Sequence, residues 1–377
     1  MTPKVLHIVE NLDRGAVEGW LVRMLGHAHK RGVALDWTFY CALGQAGGLD
    51  DRARARGAKV IYSPVPLSQK RAFMAALRGA LKQGRYDVVH CHHDIMSGPY
   101  LLAALGLPIG RRIVHAHNAD ENVPTPNKLK QTLYREPMRQ VCLALADRIV
   151  GISNHTLDTL LAGRARRPGR DIVHYYGVDA ERFQAALPDR AAFRRQLGLP
   201  EDALILLYGG RVAPEKNPVM AVDVLAALRR REPRAHLVYA GAGSEEQAVI
   251  QRAEALGVAD QVHMIGWRAD LPEVMAASDW FILPRPEHPM EGFGLAVVEA
   301  QLAGLPLLLS LGIPDDPLLP TASYRRLPLA AGGDAWAEAA IELQQAGKPS
   351  PQAAWDALAA SPMDMVRALA GLVELHR

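Results

Sequence analysis

Short apolar runs alternate with amphipathic stretches along the whole chain, and few folds accept that pattern. Runs of four to eight apolar residues, each followed by a helical period, mark parallel strands joined by crossover helices. In the first half, strands are expected at Lys4–Val9, Leu35–Cys41, Lys59–Tyr62, Val88–His92, Arg112–His117, Arg148–Ser153 and Asp171–Tyr175. In the second half they are expected at Ala203–Tyr208, His236–Ala240, Val262–Ile265, Trp280–Leu283 and Pro306–Ser310. Helices fall between them, as at Pro218–Arg231, where Ala221, Val224, Leu225 and Leu228 recur at helical spacing. The expected class is α/β, with two doubly wound, Rossmann-like domains facing a cleft. The first spans residues 1–182 and the second 183–377, and a terminal helix at about 362–377 is expected to pack back on the first. Ligands of such sheets bind beyond the carboxyl ends of the strands, where Gly15, His92, His117, Arg211, Gly266 and Glu291 stand.

Charge divides the chain as well. Residues 1–187 hold 26 Lys and Arg against 16 Asp and Glu, a net of +10, whereas the remainder holds 17 against 24, a net of −7. A basic half suits an anionic partner such as a membrane surface or a lipid-linked diphosphate, although a solvated surface accounts for the same charge. No recognition-helix or aromatic RNA-binding signature accompanies it, so nucleic acid is not expected. Cys41, Cys91 and Cys142 are far apart in apolar settings and read as buried free thiols. No signal peptide or bilayer-length apolar run is visible. The expected location is the cytoplasm, with peripheral attachment to the inner face of the cell membrane as a further expectation.

Two stretches carry chemistry. Glu291-Gly292-Phe293-Gly294-Leu295-Ala296-Val297-Val298-Glu299 reads as a turn entering a helix, where glycines admit a ligand to the backbone and free N–H groups favour phosphate. Upstream, Tyr208-Gly209-Gly210-Arg211 leads from a buried strand into a loop ending in Lys216-Asn217, with two cations five residues apart that suit a diphosphate. Phosphate plus hydroxyl recognition points to a nucleotide sugar.

These segments resemble the signature of family 4 retaining glycosyltransferases of the GT-B fold. Asp147-Arg148-Ile149-Val150-Gly151-Ile152-Ser153 and Tyr176-Gly177-Val178-Asp179 through Phe183 agree with it, with Tyr176 where the family usually has Asn. The resemblance implies Arg211 and Lys216 on the donor diphosphate and Glu299 on the ribose hydroxyls. It implies Glu291 on the sugar hydroxyls, with Gly292, Phe293, Gly294 and Leu295 lending main-chain contacts. Gly266-Trp267-Arg268 matches the loop that holds the base, and Gly15 stands where the family has a glycine pair. His117 matches the family histidine near the donor sugar, followed by Asn118 where relatives carry Asp, and His92 and His93 are further candidates for that region. The catalytic set expected is therefore His117, Arg211, Lys216 and Glu291.

Other motifs weigh less. His115 and His117 lie two apart on a strand and need only share a sheet face, and no zinc pattern accompanies them, so no metal is expected. Gly241-Ala242-Gly243 is a truncated dinucleotide fingerprint. The expected function is a metal-independent, retaining transferase without a cofactor. It would move a hexose or N-acetylhexosamine from a nucleotide-diphosphate sugar, UDP before GDP, to a glycan or lipid-linked acceptor in surface polysaccharide biosynthesis. A non-catalytic nucleotide-sugar-binding subunit is the alternative. A GT-B phosphorylase would need a pyridoxal-phosphate lysine motif, which is not found.

Overall fold

The computed structural model describes residues 2–13, 15–118, 128–186 and 189–377, with the backbone alone over 128–132. Met1, Arg14, residues 119–127 and the linker residues Leu187 and Pro188 lie outside the described residues. The chain divides into two compact units. One comprises Met1–Gly177 with Pro362–Arg377, and the other Val178–Ser361, so the division falls after Gly177 rather than at residue 182.

In the first unit the strands are β1 (Lys4–Val9), β2 (Asp36–Cys41), β3 (Lys59–Tyr62), β4 (Val88–Cys91), β5 (Arg111–Ala116), β6 (Arg148–Gly151) and β7 (Asp171–Val173). They form one parallel sheet in the order β3-β2-β1-β4-β5-β6-β7. Its helices are α1 (Ala16–Lys30), α2 (Asp50–Arg54), α3 (Lys70–Gly84), α4 (Ser97–Ala104), α5 (Lys128–Leu145) and α6 (Asn154–Leu161). Leu6, Ile8, Val89, Cys91, Val114 and Ile149 pack on one sheet face against Phe73, Leu77, Tyr100 and Leu157 of the helices. Ser153 turns β6 into α6 through a capping box, its hydroxyl accepting from Thr156 N (3.1 Å) while the Thr156 hydroxyl accepts from Ser153 N (3.1 Å).

The second unit contains α7 (Glu181–Gln184), α8 (Arg190–Gln196), α9 (Pro218–Arg229), α10 (Glu246–Ala255), α11 (Leu271–Ala277), α12 (Leu295–Leu302), α13 (Gly332–Gln345) and α14 (Pro351–Ala360). Its strands β8 (Leu204–Gly209), β9 (Ala235–Ala240), β10 (Val262–Gly266), β11 (Trp280–Leu283), β12 (Leu307–Ser310) and β13 (Tyr324–Leu327) form a parallel sheet in the order β10-β9-β8-β11-β12-β13. The edge strand β13 is absent from the sequence expectation. Its residues Tyr-Arg-Arg-Leu are exposed or half-buried and carry no apolar run to read.

The last helix, α15 (Met365–His376), belongs to the first unit and packs on α1. Gly177 passes so close to these helices that an added Cβ would lie 2.7 Å from Met24 Cε and 3.0 Å from Ala368 Cβ. All three cysteines are buried and free. Among the described residues no helix is long and apolar enough to cross a membrane.

At the end of the second sheet remote from its loops of interest, the buried Asp279 accepts from Ile205 N (2.9 Å) and pairs with Arg194 (2.9 Å), Lys348 (3.3 Å) and Arg190. Removing it strands the buried Arg194 guanidinium. Asp279→Ala is expected to destabilise the second unit by about 3–5 kcal/mol, and urea unfolding followed by tryptophan fluorescence measures the loss.

Candidate active site

Both sheets reverse their strand order once, and the loops leaving the two strands at that point diverge to open a crevice. In the second unit these strands are β8 and β11. β8 ends in Gly209, and Gly210 leads to Arg211, whose carbonyl accepts from the Tyr208 hydroxyl (2.9 Å). A 3₁₀ turn at Pro214–Lys216 then ends in Asn217, which takes the left-handed conformation (φ 48°) before Pro218 starts α9. Asn tolerates that conformation better than most residues, and it returns the Lys216 side chain toward the crevice.

Lys216 meets the loop after β11. Its ammonium pairs with Glu291 Oε2, and Arg285 Nη1 reaches the same oxygen at 3.1 Å. Side-chain exposures of 16% for Lys216, 14% for Glu291 and 3% for Arg285 make this a largely desolvated cluster. Burial alone would raise Glu291, but Lys216 and Arg285 outweigh it and hold the carboxyl below its usual range. Burial lowers Lys216, and Glu291 offsets that in part. Two cations share one carboxylate, so the cluster carries a surplus positive charge. Arg211 pairs instead with Glu215 (2.8 Å) with its side chain 73% exposed, a weak surface pair that an arriving phosphate displaces at small cost.

Arg285 escaped the sequence reading. It stands two residues past β11 in no recognised motif, and its role appears through contacts with Glu291 and the carbonyl of Pro289 (3.1 Å). Its own carbonyl accepts from Ser310 Oγ, which ties the loop after β11 to β12. Glu291 N donates to Gly312 O (2.8 Å), and a Cβ at Gly312 would lie 2.1 Å from Pro286 O.

Gly294 (φ 92°) caps α12 through backbone alone, leaving the helix start to Leu295 and Ala296. Gly292 and Phe293 are buried before it, and Glu299 is half-buried on the helix beside buried Val297, Val298 and Ala300. Gly266 (φ 65°) ends β10, followed by Trp267, which is 60% exposed, and by Arg268, which grips Asp270 with two nitrogens. Gly241 and Gly243 have a packing role. A Cβ at Gly241 would lie 1.9 Å from Gly210 O, and one at Gly243 2.2 Å from Val212 O, so the loops after β8 and β9 pack main chain against main chain.

In the first unit the reversal lies between β1 and β4. Gly15 is the N-cap of α1, and the Glu18 carboxylate lies over it, 2.1 Å from where a Cβ would stand. Burial, with Glu10 and Asp13 adding to it, raises Glu18 to about 7. Beyond β5, His117 N and Asn118 N donate to Asp94 Oδ1 (2.6 and 3.1 Å), and the Asn118 amide donates to Oδ2 (3.1 Å). An Asp at 118 would set two carboxylates against each other there, which accounts for the amide. The His117 ring is buried with both nitrogens engaged, Nδ1 by the Tyr176 hydroxyl (2.9 Å) and Nε2 by His92 (2.9 Å).

His117 is one of seven buried imidazoles on that sheet face and its cover, with His7, His90, His92, His115, His174 and His376. Two trios, His7/His90/His92 and His92/His115/His117, bring ligand-type atoms within 4.8 Å of one another. Burial pushes His117 and His376 down to about 3, and lowers His7, His90, His92, His115 and His174 as well. These rings are neutral when folded and titrate near 6.5 when unfolded, so the unfolded chain binds more protons below that pH. Their stabilisation is complete above about pH 7 and falls as the pH drops toward the folded values, by about 1.4 kcal/mol per pH unit for each ring. The melting temperature of the first unit is expected to decline steeply between about pH 6.5 and pH 4.5 in a thermal scan.

A family model described as "Glycosyltransferase Family 4" matches residues 17–182, and one described as "Glycosyl transferases group 1" matches residues 189–313. The putative glycosyltransferase EpsF of Bacillus subtilis is 27% identical over 99% of this chain and 96% of its own length. A UDP-Gal:alpha-D-GlcNAc-diphosphoundecaprenol alpha-1,3-galactosyltransferase of Escherichia coli is 26% identical over 70% of this chain and 67% of its own. Among solved structures, Anabaena HepE in complex with UDP-glucose superposes with a TM-score of 0.77 at 20% identity, covering 99% of this chain and 98% of that one.

Proposed function

This chain is a glycosyltransferase of family 4 with the GT-B fold, and from that premise we propose that it transfers a hexose or N-acetylhexosamine, with retention, from a UDP-sugar to a glycan or lipid-linked acceptor in surface polysaccharide biosynthesis. The observation that carries the reading is the shared Glu291 carboxylate. Lys216 and Arg285 leave a surplus positive charge at the reversal point of the second sheet, beside an exposed Arg211 and the backbone-capped start of α12.

As the bond from the anomeric carbon to the β-phosphate breaks, negative charge grows on the departing diphosphate. Lys216 and Arg211 neutralise it there, and Arg285 keeps Glu291 ionised and in place for the sugar hydroxyls when Lys216 turns to phosphate. The acceptor hydroxyl forms the new bond on the same face, and its proton passes to a β-phosphate oxygen of the leaving UDP. These side chains supply the charge that a divalent ion supplies elsewhere, so the reaction proceeds without metal or cofactor. Glu299 takes the ribose hydroxyls, and Trp267 presents an exposed ring to the base. UDP is favoured over GDP by the names of the relatives, which include a UDP-Gal transferase and a UDP-glucose complex. The expected setting is the inner membrane face, approached through exposed Lys70, Arg71 and Lys82 of α3.

Thermal-shift titration with UDP, GDP, ADP and dTDP tests the donor site. UDP at a hundred times its dissociation constant is expected to stabilise by about 2.7 kcal/mol, a shift of several degrees. Arg211→Ala and Glu299→Ala should abolish the shift while keeping the fold. No shift with any nucleotide would refute the donor assignment. A shift without release of UDP from UDP-hexose in the presence of lipid-diphosphate acceptors would favour a binding subunit.

Metal independence is tested by the same release assay after chelation. Activity is expected to persist in excess EDTA, whereas Lys216→Ala should lower kcat by about a hundredfold or more.

A further inference from the structure

The cluster of Lys216, Arg285 and Glu291 holds one cation more than its carboxylate needs. Both cations lie on the same oxygen, Glu291 Oε2, where their like charges oppose each other. Burial lowers the Lys216 ammonium, Glu291 raises it, and Arg285 lowers it further.

The two cations are fastened differently. Arg285 donates from Nε to Pro289 O (3.1 Å), pairs through Nη1 with Glu291 Oε2 (3.1 Å), and leaves only 3% of its side chain exposed. Its carbonyl accepts from the hydroxyl of Ser310, which is buried in β12. Side chain and main chain are thus both anchored. Lys216 instead reaches the cluster from a 3₁₀ turn on a flexible four-carbon stem, with Glu291 as its hydrogen-bond and ion-pair partner and 16% of its side chain exposed. An ammonium has three N–H donors, and that bond uses one.

This asymmetry decides which cation a ligand can draw away. Were Lys216 the sole partner, its departure would leave a carboxylate that is 14% exposed without a counter-ion. A carboxyl in that state escapes the cost by taking up a proton. With Arg285 fixed in place, Glu291 stays paired and ionised when Lys216 leaves.

We propose that Arg285 is a standing counter-ion for Glu291 that allows Lys216 to be handed from the carboxylate to the donor diphosphate. In that exchange the Lys216–Glu291 pair breaks, a Lys216–phosphate pair forms, and no proton moves. Arg285 is a positioning residue, acting on the ligand through Glu291 and Lys216. The inference deepens the transferase reading and rests on the place given to Lys216 at the diphosphate, within the second unit.

The groups that bear on the charge of Glu291 come from both loops and from β8. Burial raises its carboxyl, and Lys216, Arg285 and Arg211 outweigh that. Tyr208 faces it too, and burial, with Glu291 and Glu215 adding to it, keeps that phenol protonated.

A double-mutant cycle on ligand affinity tests the hand-over, with UDP and inorganic pyrophosphate as probes in isothermal titration. Arg285→Gln keeps an amide for the Pro289 carbonyl and removes the charge. It is expected to weaken UDP binding at about pH 8 by about tenfold or more, and Arg285→Lys by about threefold or less. Adding Glu291→Gln to Arg285→Gln removes the charge that needs a counter-ion, and should restore the affinity to within about threefold of the wild type. The deficit of Arg285→Gln should also shrink between about pH 8 and about pH 6, because a protonated Glu291 no longer holds Lys216. The terminal phosphate of UDP titrates near pH 6 in every variant, so each affinity is taken relative to the wild type at the same pH.

Arg285→Gln protein that melts like the wild type and binds both probes as tightly overturns the proposal. So does a loss that neither Glu291→Gln nor low pH relieves, since that is the result for an arginine that only shapes its loop. Where Arg285→Gln does not fold, Arg285→Lys decides: retained affinity supports a counter-ion, and a loss of about tenfold overturns it. Lys216→Met separates the two readings. If it binds both probes like the wild type, the place of Lys216 at the diphosphate fails; if it weakens both while Arg285→Gln does not, only the hand-over fails.

Discussion

The second unit is organised around one carboxylate. An ionised carboxyl that is mostly removed from water is costly unless it is paired, and Glu291 is paired twice. Its two partners come from loops that leave the sheet at its point of reversal, one after β8 and one after β11. The ion cluster therefore joins segments that would otherwise diverge, and holds the start of α12 in register with the turn at Lys216. Much of the surrounding sequence follows from that requirement. Asn217 has to accept a left-handed backbone, Gly312 has to let the loop at Pro286 pass, and Tyr208 has to fix the carbonyl of Arg211.

The first unit meets a different constraint, the burial of polar rings. Seven imidazoles lie in the interior, and the cost of each depends on its ring nitrogens finding partners. Most of them find one another. Besides the bonds of His117 to Tyr176 and His92, His90 links His115 (3.1 Å) to His376 (3.0 Å), and His174 meets Ala368 O (2.9 Å). Trp20 covers this face with ring-centroid distances of 5.2–6.5 Å to its neighbours, so an aromatic surface replaces the aliphatic one found opposite.

Most of the scaffold was legible in the sequence because it is written locally. Apolar runs such as Leu204–Gly209 and Trp280–Leu283 are long enough, and bounded sharply enough, to be read as buried strands. The edge strand at Tyr324–Leu327 was not, since a half-exposed strand needs no apolar run. The Glu291 segment was legible as a turn into a helix, yet Arg285 was not, because its value depends on a side chain reached through the fold rather than on spacing. The same holds for the histidines. The alternation of His115 and His117 shows a shared face, but their partners His90 and His92 lie 25 residues away, and His376, the further partner of His90, lies 286 residues from it. Gly241 and Gly243 mark the reverse case, where a motif suggested a ligand and the loop backbones of Gly210 and Val212 account for it.

The assignment of α15 to the first unit makes the second unit an insertion in the chain of the first. During synthesis every residue of the second unit leaves the ribosome before Met365–His376 does. Until then the histidine face lacks the Ala368 carbonyl that His174 uses and the imidazole of His376 that completes His90. The first body to begin is thus the last to be sealed, and a nascent chain that has released the second unit but not residues 362–377 carries a first unit whose polar interior is still open to water.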